Sequence, residues 1–150
     1  MLIITAFIDY YKRIIPNALV AVLLLLFIAE ALLIPVDLIW RLLTAALILL
    51  IGIALNAFSN KYYGKDAIGY GDIKLLSSLA LLFGGFVTLA GLWFSSAIGL
   101  TAWVFMRKYS AIYKYEAKIP LGFFISFGTM FTALYKYELY GLYETIIFGR

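Results

Sequence analysis

The chain contains no cysteine and no histidine, and only 13% of its residues are charged. The absence of cysteine excludes disulfide bonds, a thiolate nucleophile and a cysteine-ligated zinc site. The absence of histidine removes the side chain that proteins use most often as a metal ligand or a general base. Any catalysis by this protein must therefore depend on carboxylates, lysine, tyrosine or serine.

The scarcity of charge is accompanied by high hydrophobicity, with 65% hydrophobic residues among 150 and a mean hydropathy of +1.02. Soluble domains are about half apolar and about a quarter charged. The composition therefore predicts an all-α polytopic membrane protein, with one transmembrane domain over residues 1–150. The net charge of +4 could indicate a nucleic-acid partner, but the basic residues are scattered between apolar runs. We expect a lipid bilayer as partner and no nucleic acid.

Six apolar segments predict six transmembrane helices. Pro16 lacks an amide hydrogen and therefore suits the first turn of the second helix. The Gly84-Gly85 pair is expected to end the fourth helix. In the fifth helix Gly91, Ser95 and Gly99 recur every four residues, a pattern that lets two helices approach closely. The expected spans are 1–15, 16–34, 38–58, 73–83, 86–106 and 119–135.

The charges between these spans predict the orientation of the protein. With six spans, nine of the twelve lysine and arginine residues fall on one side of the membrane, and an excess of basic residues marks the cytoplasm. The polar connections at 59–69 and 107–118 are then cytoplasmic, and both termini face outward. Residues 136–150 place apolar side chains on one helical face and are expected to lie in the membrane interface.

Two carboxylates, Asp9 and Asp72, fall at the cytoplasmic ends of their predicted helices. Asp72 belongs to the segment Gly69-Tyr70-Gly71-Asp72-Ile73-Lys74-Leu75, and a carboxylate at the edge of hydrocarbon is costly unless it is paired, solvated or protonated. Two close carboxylates share a proton, so that one activates water while the other donates a proton. Gly69 and Gly71 allow positive φ and a close backbone approach, which would let a substrate strand reach Asp72. Lys74 is expected to bias the ionisation of the pair or to contact lipid phosphates.

The residues alone leave alternatives open. Asp9 could pair with Lys12 or Arg13 at the membrane surface, and Asp72 could simply stabilise a helix N-terminus. Paired membrane carboxylates also serve proton or cation carriers, although the sequence shows neither repeated halves nor a second broken helix. A non-catalytic assembly subunit is a further alternative, and such a subunit would not need both carboxylates.

Three segments carry a resemblance to a known family. Asp9, followed after five residues by Ile15-Pro16-Asn17, resembles the first aspartate box of that family, and residues 65–75 resemble the second, whose core is GxGDxKL. Residues 118–122 resemble the start of the last helix, except that Leu121 and Phe123 replace the usual aromatic residue and second proline. In this order, the segments resemble the membrane aspartic peptidases that process type IV prepilins and archaeal preflagellins.

The resemblance implies an aspartic endopeptidase of the GxGD fold that removes a basic leader from a prepilin-like or preflagellin-like precursor. It implies a position in the prokaryotic cytoplasmic membrane, with the active site near the cytoplasmic face and without metal or cofactor. Members that also methylate carry a segment with paired cysteines, so a peptidase-only form is expected here. A carrier or a non-catalytic pilus-assembly subunit remains the alternative. The implied site consists of catalytic Asp9 and Asp72 with support from Pro16, Asn17, Gly69, Gly71 and Lys74.

Overall fold

The computed structural model describes residues 1–12, 14–34, 37–109, 121–139, 141 and 145. These residues form helices and no strand, which confirms the predicted all-α class for this part of the chain. The predictions for 110–118, for the first residues of the third box and for most of 136–150 lie outside the described residues. The helices are α1 Leu2–Lys12, α2 Asn17–Leu33, α3 Leu38–Tyr63, α4 Tyr70–Phe83, α5 Gly85–Tyr109 and α6 Leu121–Leu134.

Two of these six helices, α3 and α5, are long and apolar enough to cross a membrane on their own. A span of the hydrocarbon core requires about 20 apolar residues, since a helix rises about 1.5 Å per residue. Helices α1, α2 and α6 are apolar but shorter, and α4 contains 14 residues. The membrane character is therefore supported, whereas six complete spans stay a prediction.

Several predicted helix boundaries were wrong by a few residues. Helix α1 ends at Lys12 and not at residue 15, and Pro16 is the extended N-cap of α2, with φ −63° and ψ 134°, and not part of its first turn. Helix α3 continues past residue 58 into the predicted polar connection and ends where Gly64 adopts φ 64°. The apolar run ends at residue 58, but helical hydrogen bonding continues through the polar residues to Gly64, a glycine that can adopt the left-handed conformation.

Helix α4 is the central element of the fold and packs against α2, α3, α5 and α6. Leu75 and Leu79 of this helix are fully buried, and they form one hydrophobic cluster with Ile15, Leu23 and Ile125. Helix α1 packs against α6 and so lies beside the same cluster. Because apolar burial holds α4 from several sides, the polar residues in its first turn occupy a fixed position.

Helices α5 and α6 approach each other closely along the predicted ladder of small residues. A Cβ atom added to Gly128 would lie 3.0 Å from the Cβ of Ser95 and would clash with the carbonyl oxygen of Gly91. A Cβ added to Gly99 would only reach ordinary contact, at 3.5 Å from the Phe124 ring. The predicted role of the ladder in helix packing is thus confirmed, and the closest approach is at its Gly91 end.

Gly84 separates α4 from α5 by itself. It adopts φ 86° and interrupts the helical conformation, while Gly85 already belongs to α5. The expected break is therefore present, but only one glycine of the pair makes it. A single residue in this conformation is sufficient because glycine carries no Cβ to oppose a positive φ.

Candidate active site

Asp9 lies near the C-terminal end of α1, and its side chain is buried, with 5% of the residue exposed. Its Oδ2 atom accepts a hydrogen bond of 2.9 Å from the backbone N–H of Phe123. Phe123 is the third residue of α6, where a backbone N–H has no partner within its own helix. The positive end of the helix dipole also favours a carboxylate there. Asp9 therefore stabilises the start of α6 from a different helix.

Gly122 makes room for this carboxylate. A Cβ at this position would lie 3.0 Å from Asp9 Oδ2 and 2.9 Å from Ile15 Cδ1. Ile15 also packs against Gly71 of α4, where a Cβ would lie 3.2 Å from its own Cβ atom. A single buried isoleucine from the α1–α2 connection thus contacts glycines in the first turns of both α4 and α6, and it holds these two turns beside Asp9.

Asp72 is the third residue of α4, directly after the N-cap residue Gly69 and two further residues. Its carboxylate folds back over the helix start, since a Cβ on Gly69 would lie 2.9 Å from Asp72 Oδ2. At this position an acidic side chain can accept hydrogen bonds from the free N–H groups of the first turn. The positive end of the helix dipole also stabilises its negative charge. Asp72 and Phe123 are therefore each the third residue of a helix. Asp72 carries its own carboxylate at this position, whereas the Phe123 N–H donates to the carboxylate of Asp9.

Gly69 and Gly71 do not use the positive φ that glycine allows. Gly69 has φ −61° and ψ 135°, and Gly71 is helical. Among the described glycines only Gly64 and Gly84 have positive φ. The physical requirement at 69 and 71 is the absence of a Cβ atom, because a methyl group there would press on the Asp72 carboxylate or on Ile15.

The two carboxylates line one open cavity of about 250 Å³. The cavity contains Asn17, Gly69, Gly71 and Lys74 in addition to the pair, so four of the five predicted supporting residues lie together with Asp9 and Asp72. Pro16, the fifth, defines the start of α2 next to Asn17. The complete lining consists of Asp9, Ile14, Ile15, Asn17, Gly69, Gly71, Asp72 and Lys74.

Lys74 brings a positive charge to the rim of the cavity. Its Nζ atom donates to Asn17 Oδ1 over 3.4 Å, a long hydrogen bond between two exposed side chains. Such a contact is weak, but it joins the first motif, which ends at Asn17, to the second. The structure thus places Lys74 in the cavity lining through its contact with Asn17.

The environment of Asp72 differs from that of an ordinary surface carboxylate. Asp72 precedes the predicted fourth span. Its pKa is raised to about 6, mainly by burial and to a smaller extent by the nearby charge of Asp9. Burial disfavours the charged form because it removes water, and a second carboxylate disfavours it through repulsion. At pH values below about 6, Asp72 therefore favours its protonated form.

Sequence reasoning missed three groups that shape the site. The Phe123 N–H and Gly122 contact Asp9 across more than a hundred residues of chain, and their only signal was the partial third box. Asn56 of α3 is 1% exposed and forms two hydrogen bonds with the backbone of Ile68, one residue before Gly69. The signal for Asn56 was present, since it is an isolated amide in an apolar helix.

Two acidic side chains, Asp9 and Asp72, line the cavity. Across the described residues, no group of three or more histidine, cysteine, aspartate or glutamate side chains is arranged to hold a metal ion. The chemistry available from the lining itself is proton transfer by two carboxylates, with a lysine, an asparagine amide and backbone groups beside them.

One comparison with known proteins gives a match. The family model described as the type IV leader peptidase family matches residues 1–143, which include all residues of the cavity. No curated protein and no solved structure matches the chain. The family resemblance drawn from the three boxes is therefore confirmed over nearly the whole sequence.

Proposed function

The chain belongs to the type IV leader peptidase family, and we propose that it is a membrane aspartic endopeptidase with Asp9 and Asp72 as its catalytic pair. The observation that carries this proposal is that both carboxylates line the same cavity, Asp72 in the first turn of α4 and Asp9 in contact with the first turn of α6. Two acidic groups in one partly dry site cannot both ionise cheaply, so they titrate as a unit. This is the arrangement required for acid–base hydrolysis of a peptide bond.

The surroundings of the two carboxylates suggest how the proton is shared. We assign the role of base to Asp9 because its carboxylate accepts the Phe123 N–H at the start of α6 and is held there as a hydrogen-bond acceptor. Burial and, to a smaller extent, the negative charge of Asp9 favour protonation of Asp72, whose pKa is raised to about 6. In the resting enzyme Asp9 is then the base, and Asp72 is the acid.

Hydrolysis in this arrangement needs only water and the pair. Asp9 takes a proton from water while the water oxygen bonds to the peptide carbonyl carbon, and Asp72 gives its proton to the carbonyl oxygen. The C–N bond of the resulting diol then breaks. The leaving amine takes the proton that Asp9 received, and Asp72 recovers a proton from a diol hydroxyl. The pair returns to its starting state, and no covalent intermediate forms.

The substrate class follows from the family and from the predicted orientation. We propose that the substrates are prepilin-like or preflagellin-like precursors, cleaved between a basic leader and an apolar helix at the cytoplasmic face of a prokaryotic membrane. The support for this orientation is the basic excess on the side of Asp9 and Asp72. We further propose one transmembrane peptidase domain over 1–150 without methyltransferase activity.

Co-expression with candidate precursors tests the proposal, with the mass of the precursor as readout. The wild-type protein should remove the leader, and the variants Asp9→Asn and Asp72→Asn should leave it attached. Asp37→Asn is the matched control, because this exposed carboxylate precedes α3 and does not line the cavity. Normal cleavage by Asp9→Asn, or cleavage that stops with a chelator and returns with a metal ion, would contradict the proposed mechanism.

A further inference from the structure

Asn56 is a buried amide in a helix whose other side chains are mostly apolar and exposed. With 1% of the residue exposed, its carboxamide has lost contact with water and needs partners within the protein. Its Nδ2 donates to the carbonyl oxygen of Ile68 over 2.8 Å, and its Oδ1 accepts from the Ile68 N–H over 2.9 Å. The backbone N–H and the carbonyl oxygen of Ile68 are thus both hydrogen-bonded to one side chain, that of Asn56.

Gly52 makes a second connection between α3 and the same part of the chain. It lies one helical turn before Asn56, and a Cβ at this position would lie 2.8 Å from Ile73 Cγ2. Ile73 is buried and directly follows Asp72. One face of α3 therefore fixes Ile68 by hydrogen bonds and admits Ile73 by close packing, and the segment that carries Asp72 into the cavity lies between these two points.

The remaining contacts between α3 and the connection are closer to solvent. Ser59 Oγ donates to the carbonyl oxygen of Lys65 over 2.7 Å, and Asn60 Nδ2 donates to Asp66 Oδ1 over 3.0 Å, both in exposed surroundings. Exposed hydrogen bonds exchange readily with water and fix a backbone less firmly. Among these three polar side chains of α3, Asn56 is the buried one, and its partner Ile68 is the contacted residue nearest in sequence to Gly69.

We infer that Asn56 is a positioning residue for the peptidase reaction: its carboxamide fixes the backbone at Ile68 and thereby sets the place of Asp72 in the cavity. This inference rests on the proposed function, because the geometry of Asp72 matters only if its carboxylate acts on substrate. A displacement of about 1 Å at a catalytic group lowers a rate by about 10²-fold. The loss of both Ile68 hydrogen bonds should produce an effect of that order.

The first test replaces Asn56 by an apolar residue of similar size. Asn56→Leu removes both hydrogen bonds and suits an apolar helix, so we expect kcat for leader removal to fall by about 10- to 100-fold, with KM changed less. Asn60→Leu is the matched control. It removes an amide hydrogen bond from the same face of α3, but an exposed one, and cleavage should stay within about 2-fold of the wild-type rate.

The second test uses a conservative variant whose hydrogen bonding depends on pH. In Asn56→Asp the neutral carboxylic acid can accept from the Ile68 N–H and donate to the Ile68 carbonyl oxygen, which repeats both native bonds. The ionised form cannot donate and faces a carbonyl oxygen. Activity should therefore approach the wild-type value at low pH and show an additional loss as pH rises. The wild-type profile is the reference, because the carboxylates of Asp66 and Asp72 are present in both proteins.

A third measurement reports on the contact without using activity. The chain contains no cysteine, so Ile68→Cys introduces a single thiol at the residue that Asn56 holds. A membrane-impermeant maleimide should label this thiol faster when Asn56→Leu is present than when Asn56 is intact. If Asp72→Asn still cleaves precursor, the proposed function is wrong, whereas the labelling result continues to report on the contact itself.

Four outcomes would overturn the inference. Three of them are normal cleavage by folded Asn56→Leu, an Asn56→Asp profile that parallels the wild-type profile at every pH, and a labelling rate that does not respond to Asn56→Leu. Failure of both Asn56 variants to accumulate as folded protein would also overturn it, because Asn56 would then be required for folding of the helices and not for the position of Asp72.

Discussion

Charged side chains are arranged differently at the two ends of α4. At its C-terminal end, Arg41 donates to the carbonyl oxygens of Leu81 and Leu82 at 3.2 and 2.8 Å and forms an ion pair with Glu30 at 2.9 Å. At its N-terminal end, Asp72 lies beside another carboxylate, and its pKa is raised to about 6. Within the described residues, Asp72 has no basic ion-pair partner. Opposite charges are paired at one end of the helix, and like charges are brought together at the other.

Under the proposed function, this difference separates stabilising charge from catalytic charge on one helix. A cation at a helix C-terminus that also satisfies free carbonyl groups contributes to stability. A pair of acidic groups in a cavity is destabilising in its fully ionised form and is therefore retained where proton transfer is needed. Substitutions at the two ends should consequently separate activity from stability.

The largest expected effect is the loss of cleavage when either carboxylate of the cavity is neutralised. Asp9→Asn and Asp72→Asn should each lower kcat by at least about 10³-fold, because hydrolysis needs both a base and an acid. The double variant should be no slower than either single variant, as expected for two residues that act as a unit. Leader removal followed by mass measures this effect. Multiplicative losses in the double variant would show that the carboxylates act independently.

The next effect concerns the space around Asp9. Gly122→Ala places a Cβ within 3.0 Å of Asp9 Oδ2 and 2.9 Å of Ile15 Cδ1, so the carboxylate must move, and cleavage should fall by about 10²-fold. Gly99→Ala is the matched control, since its Cβ would lie at an ordinary 3.5 Å from the Phe124 ring. Cleavage rates of the two variants, measured at equal amounts of folded protein, check this expectation. Equal rates would mean that Asp9 tolerates displacement.

At the opposite end of α4 the effect should appear in stability. Arg41→Met leaves Glu30 without its cation and removes the donors to Leu81 and Leu82, so the free energy of unfolding should fall by about 1–3 kcal/mol. Thermal unfolding in detergent measures the change. Lys61→Met is the control, because Lys61 is an exposed basic residue of α3, the helix that also carries Arg41. If Arg41→Met abolished cleavage without a change in unfolding temperature, the proposed division between the two ends would be wrong.

The fold could be predicted from the sequence where local patterns determine it. Apolar runs interrupted at Pro16 and Gly84 correspond to separate helices, since the hydrophobic pattern and the helix-ending residues act over a few positions. The exact ends of α1 and α3 could not be predicted in this way, because apolar character and helical hydrogen bonding do not stop at the same residue.

The candidate site was predictable only in its sequence-adjacent parts. The two boxes identified Asp9 and Asp72 as a pair, and both line the cavity. Their partners depend on tertiary packing: the Phe123 N–H is 114 residues from Asp9 along the chain, and no local pattern relates these two positions. For a similar reason the sequence could not decide whether Gly69 is needed for positive φ or for close packing. A missing Cβ serves both, and only the neighbouring residues, here Asp72, show which applies.

The smallest expected effect is a pH dependence of stability that arises from the reactive end of α4. The pKa of Asp72 is raised from 3.8 to about 6 in the folded protein, so the folded state binds this proton more tightly than the unfolded state does. This contribution to stability is complete below pH about 4 and is lost as pH rises through about 6. Unfolding temperatures across this range should therefore decline with pH for the wild-type protein.

Comparison with two variants assigns that decline to the cavity. Asp72→Asn carries a permanently neutral amide and should flatten the profile between pH about 4 and about 6, whereas Asp37→Asn should leave the slope unchanged, because that carboxylate is exposed. Asp9→Asn should reduce the slope only in part, since burial is the larger cause of the raised pKa and the charge of Asp9 is the smaller one. If Asp9→Asn flattened the profile as fully as Asp72→Asn does, repulsion between the two carboxylates would raise the pKa of Asp72 more than burial does, and the order of the two causes would be reversed.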